Sequence, residues 1–305
     1  MGNPKGNFKR NLILVLAAAV FWGLGIGCWQ SFRFNDGRLH LIFCDVGQGD
    51  AIYLKTPNGQ EVLIDGGPDE KVLDCLSSNR PFYDRKIEVL ILTHPDEDHL
   101  TGLISVLERY EVDYLITENT YNDSATFAQF RKVAIQEGMR IYNPKAGDKI
   151  RLGETEINFY WPKNVVGEEK LWLEEASSDL RVLAASSTAS NLNDSSLVFG
   201  IKYKDFATLQ TGDAESHILK QAITASLSPV VLKVPHHGSK ETLIKEILNI
   251  LNPKLAVISV GKGNRFGHPA KETLELLQER GIKILRTDEE GTIEFVSDGR
   301  TWFLE

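Results

Sequence analysis

Hydrophobic residues follow two alternating patterns from Gly37 onward. Short runs rich in β-branched residues predict strands, and stretches with apolar residues at helical spacing predict helices. The predicted strands have the sequences LHLIFCDV, DAIYLKT, EVLIDGG, IEVLILTH, EINFYW, SSLVFGIKY, FATLQTGD, PVVLKVPHH, LAVISVG, IKILRT and GTIEFVS. The predicted helices are Leu100–Tyr110, Ser124–Gly138, Ala214–Ala225, Glu241–Leu251 and Ala270–Gly281. This order predicts a layered α/β domain of two similar halves.

The N-terminal segment has a different pattern. Leu12–Trp29 is an uncharged run of 18 residues, which is long enough to cross a bilayer. Lys5, Lys9 and Arg10 precede it, so the positive-inside rule predicts a cytoplasmic N-terminus and an exported remainder. A cleaved signal peptide is the alternative, but a clear small-x-small cleavage site is lacking, which favours a retained single-pass anchor in a bacterial cell membrane.

These patterns divide the chain into two parts. We predict a basic tip and anchor over residues 1–33, with the span at about residues 12–29, and an α/β domain over residues 37–305. Residues 162–193 are weakly patterned and rich in serine and glutamate, which predicts a mobile insertion or lid loop.

Charge is unevenly distributed. Residues 1–33 hold four bases and no acid, and the remainder holds 30 bases and 42 acids, a balance of −12. This argues against a broad basic surface that grips duplex DNA, so any nucleic-acid role must depend on a local site.

The three cysteines exclude a cysteine zinc knuckle, because no C-x-x-C pair exists. We expect Cys44 and Cys75 to be two buried thiols. A single bridge between them is the alternative if the domain lies outside the cytoplasm.

The segment LTHPDEDHLTGL places two histidines and three acids within six residues. Imidazole and carboxylate groups bind divalent metals, and acids this close repel one another unless a cation lies among them. An isolated match can also be a solvated acidic turn. His94 and Asp96 face the same way on an extended loop and can bind one metal. Asp98 and His99, at the predicted helix start, can bind a second.

Further polar residues stand at the ends of predicted strands, and five of the seven histidines lie in these short motifs. The additional residues are Asp45, Asp65, Asp213, His236, His237 and His268. Asp213 follows a strand at a glycine turn, where its carboxylate can bridge two ions. Two adjacent metals stabilise the attacking and leaving oxygens of a phosphoryl displacement.

The order of these motifs resembles that of the metallo-β-lactamase superfamily and, within it, the C-terminal domain of the ComEC family of competence proteins. The resemblance covers roughly residues 39–296, through the segments FCDVGQGDAIYL, VLIDGG, LTHPDEDHLTGL, NDSSLVF, LQTGDAE, VLKVPHHGS and SVGKGNRFGHP. It implies an αββα sandwich with a dinuclear metal site at its edge and hydrolytic activity.

The resemblance also implies roles for individual residues. The implied metal ligands are His94, Asp96, Asp98, His99, Asp213, His237 and His268. The implied catalytic residues are Asp65, Asp98, His236 and His268. It stays open which of His236, His237 and His268 bind metal and which contact the leaving group.

Other residues beside the motifs are expected to support the site. We expect ligands to be held in place by Asp45, Gln48, Asp50 and Asn193. We expect substrate to be contacted by Lys233, Ser239, Lys240 and Asn264, with Lys262 and Arg265 as further local bases.

Two positions depart from the superfamily pattern H-x-H-x-D-H. Asp96 replaces the middle histidine, and its anionic oxygen shifts metal preference from zinc toward manganese or magnesium. The superfamily's next histidine has no counterpart, and Asn193 stands near its place. The ComEC branch resembles this chain in both respects. We therefore expect two divalent ions, with Mn²⁺ favoured and Zn²⁺ or Mg²⁺ as alternatives.

The function that these patterns favour is that of a membrane-anchored, extracytoplasmic phosphodiesterase or nuclease acting on DNA, single strands above all. A separately encoded DNA-uptake channel is an expected partner, because one span cannot form a channel. The alternatives are hydrolysis of another exported ester, such as a cell-wall phosphocholine ester or a lactone, and a non-catalytic binding module that retains the fold.

Overall fold

The computed structural model describes residues 4–118, 120, 122–163, 191–224 and 226–305 and, within the first helix, the side chains of residue 8 and of residues 11 onward. Most of the predicted insertion at residues 162–193 lies outside the described residues.

Within the described part of the chain, every predicted strand and helix is present, and four strands that were not predicted lie at residues 111–117, 140–142, 149–152 and 302–304. The helices are α1 Pro4–Phe34, α2 Lys71–Asn79, α3 Glu97–Leu107, α4 Ala125–Glu137, α5 Ser216–Ala222, α6 Lys245–Leu251, α7 Lys271–Gln278 and α8 Thr287–Glu290. The strands are β1 Leu39–Phe43, β2 Ile52–Lys55, β3 Glu61–Ile64, β4 Lys86–Leu92, β5 Glu111–Thr117, β6 Arg140–Tyr142, β7 Lys149–Leu152, β8 Thr155–Trp161, β9 Val198–Tyr203, β10 Phe206–Gln210, β11 Val231–Lys233, β12 Leu255–Ile258, β13 Lys283–Arg286, β14 Ile293–Ser297 and β15 Trp302–Leu304.

The strands form two mixed sheets. The first has the order β15-β14-β1-β2-β3-β4-β5-β6, and the second has the order β13-β12-β11-β10-β9-β8-β7. Strands β3 to β6 run parallel to one another, and so do β10 to β13. The loops that follow each parallel set leave the carboxyl ends of its strands, and residues from both sets of loops meet at one edge of the molecule.

Apolar side chains from both sheets meet in a central layer. Phe43 and Phe295 of the first sheet pack edge to face at 6.0 Å, and Phe206 of the second sheet lies 6.5 Å from Phe295. Burying each aromatic side chain contributes about 1.5 to 3 kcal/mol. The outer face of the first sheet is covered by α2, α3 and α4, and that of the second by α5, α6 and α7. The molecule is therefore the predicted αββα sandwich.

Helix boundaries follow local chemistry where caps are present. Ser124 accepts a hydrogen bond from the backbone N–H of Phe127 at 3.1 Å, and Gly138 ends α4 with φ of 66°. This helix matches its prediction. In contrast, α3 begins at Glu97 rather than at the predicted Leu100, so Asp98 lies in its first turn.

Two glycine contacts hold the start of α3 against the preceding loops. A Cβ atom on Gly102 would lie 1.9 Å from the carbonyl oxygen of Gly66, and one on Gly49 would lie 2.1 Å from that of Asp98. The backbone N–H of Gly66 donates to the carbonyl oxygen of His99 at 2.7 Å. Close backbone approach therefore positions α3.

A disulfide joins Cys44 to Cys75, whose Cα atoms are 5.9 Å apart. The expectation of two buried thiols is wrong. Cys44 follows β1 and Cys75 lies in α2, and the packing of the helix on the sheet brings the two residues together across 31 positions of sequence. Cys28 is free and exposed.

In the described part of the chain, the N-terminal helix α1 is long and apolar enough to cross a membrane. The qualifying segment is Asn11–Phe34, with a mean hydropathy of 2.2 and no burial against the rest of the protein. It includes the predicted span. Length and composition agree with a membrane anchor, while its orientation stays a prediction.

Candidate metal centre

The site begins with Asp65, which follows β3 in the left-handed conformation, with φ of 58°. Its Oδ1 atom accepts a hydrogen bond from the backbone N–H of Thr93 at 2.8 Å. Its Oδ2 atom accepts from the Thr93 hydroxyl at 2.7 Å and from Nδ1 of His99 at 2.9 Å. Because Nδ1 of His99 donates to Asp65, Nε2 is the ring nitrogen that can bind a cation once it has released its proton.

Thr93 also fixes the orientation of the neighbouring His94. Its hydroxyl proton is donated to Asp65, so the hydroxyl can only accept from Nδ1 of His94, 3.1 Å away. The other ring nitrogen of His94, Nε2, lies 3.4 Å from Oδ2 of Asp96. Two buried imidazoles thus direct their Nε2 atoms to the interior of the site.

Asp213 lies at the centre of the site. It follows β10 after Gly212, whose φ is 50°, and its backbone N–H donates to Oγ of Ser196 at 3.1 Å. One or other of its carboxylate oxygens lies within 4.0 Å of Nε2 of four histidines. The distances are 3.4 Å to His99, 3.4 Å to His237, 3.8 Å to His236 and 4.0 Å to His94.

His236 and His237 follow β11, and both adopt positive φ, of 48° and 52°. A non-glycine residue in this conformation costs on the order of 1 to 3 kcal/mol, so surrounding contacts must hold the turn. Nδ1 of His237 donates to the carbonyl oxygen of Ser259 at 2.9 Å, which directs Nε2 toward Oδ2 of Asp98 at 3.2 Å. The strained turn thus brings a third imidazole to the cluster.

The donor set fits metal ions. Nε2 of His94, Nε2 of His99 and Oδ1 of Asp213 are buried and have no hydrogen-bond partner. Such atoms are costly to bury unless a cation satisfies them. Within the described residues, ligand atoms gather within 4.8 Å of one another in the groups His94–His99–Asp213 and Asp98–His99–His237.

His99 can serve only one of these groups, because a single imidazole nitrogen binds one cation. Assigning it to Asp98 and His237 leaves His94 and Asp96 for the other cation. Asp213 lies between the two sets.

The buried carboxylates and imidazoles of the cluster shift one another's pKa values. Burial alone would lower the pKa of His99, but the carboxylates of Asp213, Asp65 and Asp98 raise it well above its usual value. Burial likewise opposes a raised pKa at His237, which Asp213 and Asp98 nevertheless produce. Burial would raise the pKa of Asp213, but His237 and His99 hold it well below its usual range. The metal-free cluster therefore holds protons where cations would bind.

Lys233 is placed differently from its prediction. It is buried, its ammonium forms an ion pair with Asp50, and it donates to the carbonyl oxygen of Gly212 at 3.2 Å. Nζ also lies 3.9 Å from Oδ1 of Asp213. Burial leaves no face for substrate, so the expectation of direct substrate contact is wrong. Lys233 instead balances carboxylates behind the ligands.

Some of the residues expected to support the ligands lie beside them, and others do not. Asp50 pairs with Lys233, and its carboxylate oxygens lie 3.8 Å from Nδ1 of His99 and 3.7 Å from Nδ1 of His237. Nδ2 of Asn193 lies 3.4 Å from Nδ1 of His236. Gln48 accepts a hydrogen bond from Gly261 at 3.2 Å and so joins two loops. Asp45, however, is exposed and accepts from the backbone of its own loop, so its predicted support of the ligands is wrong.

The remaining predicted contacts lie on the loops around His268. Oδ1 of Asn264 accepts from the backbone of His268 at 3.0 Å, and its Nδ2 donates back at 2.6 Å, so Asn264 holds this loop closed. Lys240 is exposed and pairs with Glu272 at 3.1 Å. The carbonyl oxygen of Ser239 accepts from the hydroxyl of Thr273.

His268 lies beside the ligand groups rather than within them. Its ring centroid is 5.7 Å from that of His236 and 6.5 Å from that of His237. Burial and the charges of these two histidines lower its pKa, which favours a neutral imidazole. This placement suits contact with a substrate better than ligation.

Three residues that the sequence analysis missed complete the site. Thr93 orients His94, Ser196 holds the backbone of Asp213, and Oε1 of Glu215 lies 3.5 Å from Nδ1 of His236. Thr93 directly precedes His94 and Glu215 lies two positions after Asp213, so adjacency to the motifs was the available signal.

An αββα sandwich with a histidine and carboxylate cluster at its edge defines the metallo-β-lactamase fold. The sequence profile of the Metallo-beta-lactamase superfamily matches residues 44–262, and the chain belongs to this superfamily. YhfI from Bacillus subtilis, of known structure, shares the fold with a TM-score of 0.50 at 10% identity, over 88% of this chain and 100% of that one.

Curated relatives include competence proteins of the ComEC family. ComE operon protein 3 of Bacillus subtilis (strain 168) is 29% identical over 282 residues, which cover 86% of this chain and 33% of that protein. Competence protein ComA of Neisseria gonorrhoeae is 26% identical over 302 residues, or 93% and 38%. The chain thus spans 33% to 38% of the length of these relatives.

The ion pair of Lys233 predicts a stability effect. Lys233→Met leaves Asp50 buried without its partner, so the free energy of unfolding of the metal-free chain should fall by about 3 to 5 kcal/mol. Denaturant unfolding in detergent with excess chelator measures it. Lys240→Met, which removes an exposed pair, should change little. Adding Asp50→Asn to Lys233→Met should recover part of the loss, and additive losses would contradict the pairing.

The raised pKa values of His99 and His237 predict pH-dependent metal binding. Both imidazoles keep their protons above the pH at which histidine ordinarily loses them, and a cation must displace those protons. The affinity for Mn²⁺ should therefore rise from about pH 6 to about pH 8, with protons released on binding. Calorimetry in two buffers of different ionisation enthalpy measures both quantities, and a flat affinity without proton release would contradict the assignment.

Proposed function

We propose that this protein is a membrane-anchored, extracytoplasmic, metal-dependent phosphodiesterase that cleaves DNA. The observation that carries the proposal is the position of the Asp213 carboxylate between two sets of ligands, with four imidazoles within 4.0 Å. A shared carboxylate of this kind is suited to holding two cations close together.

Two divalent cations fit the donor set. His94 and Asp96 would hold one, Asp98, His99 and His237 would hold the other, and Asp213 would contact both. We favour Mn²⁺ over Zn²⁺ or Mg²⁺, because carboxylate oxygens outnumber the donors that zinc prefers at the first position. When bound, the cations supply Lewis acidity toward a phosphoryl oxygen and lower the pKa of a water molecule.

The protein's own side chains then orient the reaction. Asp65 fixes the ring of His99 through its 2.9 Å hydrogen bond and acts as a positioning residue. His236 is partly exposed beside Asp213 and can donate a hydrogen bond to charge developing on the phosphoryl group. His268, with its lowered pKa, lies next to His236 and can contact the leaving oxygen.

The relatives and the proposed two-cation chemistry support DNA as the substrate. One relative is named a competence protein and the other a ComE operon protein. An in-line displacement between two cations suits a phosphodiester. The net charge of −12 beyond residue 33 opposes tight binding of duplex DNA. DNA binding must therefore depend on the cations and on a few exposed bases such as Lys262 and Arg265. Binding should be weak, shallow in its salt dependence and better for flexible single strands. A separately encoded uptake channel is the partner that we propose.

A substrate panel tests the proposal. Detergent-solubilised, metal-loaded chain should cleave labelled single-stranded DNA faster than duplex, and more with Mn²⁺ than with Zn²⁺. Asp213→Ala should reduce the rate by about a thousandfold or more, because one side chain serves both cations. Asp205→Ala, on an exposed hairpin turn, is the matched control and should leave the rate unchanged.

Three outcomes of this panel would contradict the proposal. Full cleavage in excess EDTA would exclude metal dependence. Intact DNA together with hydrolysis of a phosphocholine ester or a lactone would favour another exported ester. Metal binding without any hydrolysis would favour a binding module that keeps the fold.

Topology has its own test. With the N-terminus in the cytoplasm, protease added to intact cells should remove the domain after α1 and spare cytoplasmic markers. Release of the domain into the medium without protease would indicate a cleaved signal peptide. Protection of the domain until the cells are lysed would reverse the orientation.

A further inference from the structure

The loop between α2 and β4 presents two aromatic side chains to the exterior. Phe82 is 61% exposed and Tyr83 is 48% exposed, and their rings pack edge to face at 5.5 Å. They are two of the five large hydrophobic residues exposed in the described part of the chain beyond α1. Adjacent exposed aromatic rings commonly mark a surface that contacts another apolar phase.

The base of this loop is fixed by a buried arginine. The Arg80 guanidinium pairs with Glu61 and with Asp84, each at 3.0 Å, and donates to the carbonyl oxygen of Lys86 at 2.7 Å. It also lies over the ring of Tyr110 at 4.6 Å. These contacts fix the residues on both sides of Phe82 and Tyr83, so the base of the loop is held in place.

A hydrogen bond places the loop beside α1. The backbone N–H of Phe82 donates to Oε1 of Gln30 at 3.0 Å. Gln30 lies near the end of the segment Asn11–Phe34 that is apolar enough to span a membrane. Phe82 therefore lies beside the last turns of the candidate span.

The same end of α1 has the composition of a membrane interface. Trp29 is 58% exposed and Phe32 is 83% exposed, and the guanidinium of Arg33 lies 5.5 Å from the Trp29 ring. Tryptophan, tyrosine and basic residues concentrate where lipid headgroups meet the hydrocarbon core. The aromatic loop adds two rings to this set from a distant part of the sequence.

We propose that Phe82 and Tyr83 insert into the membrane interface beside α1, so that a lipid bilayer is the partner of this surface. The catalytic domain is then attached at two points, the helix and the loop, and the direction in which its metal centre faces is fixed relative to the membrane. This inference rests on the membrane anchoring in the proposed function and not on the identity of the substrate.

Photo-cross-linking of the full chain in liposomes tests the contact. Phe82→benzoylphenylalanine places a photoreactive ring at the loop, and Phe266→benzoylphenylalanine is the control, because Phe266 is 55% exposed on the loop that carries His268. The liposomes consist of phosphatidylcholine and phosphatidylglycerol with a trace of radiolabelled lipid. Irradiation should yield several-fold more lipid adduct from position 82 than from position 266.

Other outcomes separate this inference from the proposed function. Equal lipid labelling at both positions in a chain that floats with the liposomes would overturn the loop contact alone. Failure to float would overturn both the anchor and the loop contact. Strong labelling at position 82 in a preparation that leaves DNA intact would support the loop contact and reject the substrate. Adducts to a co-reconstituted membrane protein, with no lipid adduct, would overturn the bilayer as partner.

Discussion

Concentrated negative charge at one edge of the sandwich is the constraint on which the rest of the structure depends. Carboxylates from loops of both sheets meet within a few ångströms, and Asp213 lies among them in a buried position. Like charges at this distance repel strongly where water is excluded. The histidines, the buried Lys233 and the close backbone contacts at the start of α3 each answer this repulsion, either with positive charge or with rigid placement.

Rigidity at the site comes from the backbone as much as from side chains. Asp65, His236 and His237 all adopt positive φ, and the strain is held by hydrogen bonds to Thr93 and to the carbonyl oxygen of Ser259. These bonds also fix which imidazole nitrogen carries a proton. A cation would therefore meet ring nitrogens that are already aligned, once their protons are displaced, which lowers the reorganisation that binding requires.

Much of this arrangement could be predicted from sequence because its parts are local. Consecutive residues determine the strands that end in acids or histidines. They also determine the caps of α4. Long-range partners could not be predicted. The sequence around Lys233 suggested a substrate contact, because it does not show that the fold places Asp50 against the ammonium. Likewise, Cys44 and Cys75 come together only because α2 packs on the first sheet. The early start of α3 was missed because its apolar pattern begins only at Leu100, three residues after the helix itself.

The buried ammonium of Lys233 has a consequence for the number of cations that the centre can accept. Five carboxylates and one ammonium leave four negative charges, contributed by Asp50, Asp65, Asp96, Asp98, Asp213 and Lys233. Two divalent ions, as in the proposed function, would carry a charge equal and opposite to that of these six groups. A phosphodiester would then meet a site of little net charge, and the acidic surface beyond would oppose it only through a field that salt screens within about 10 Å.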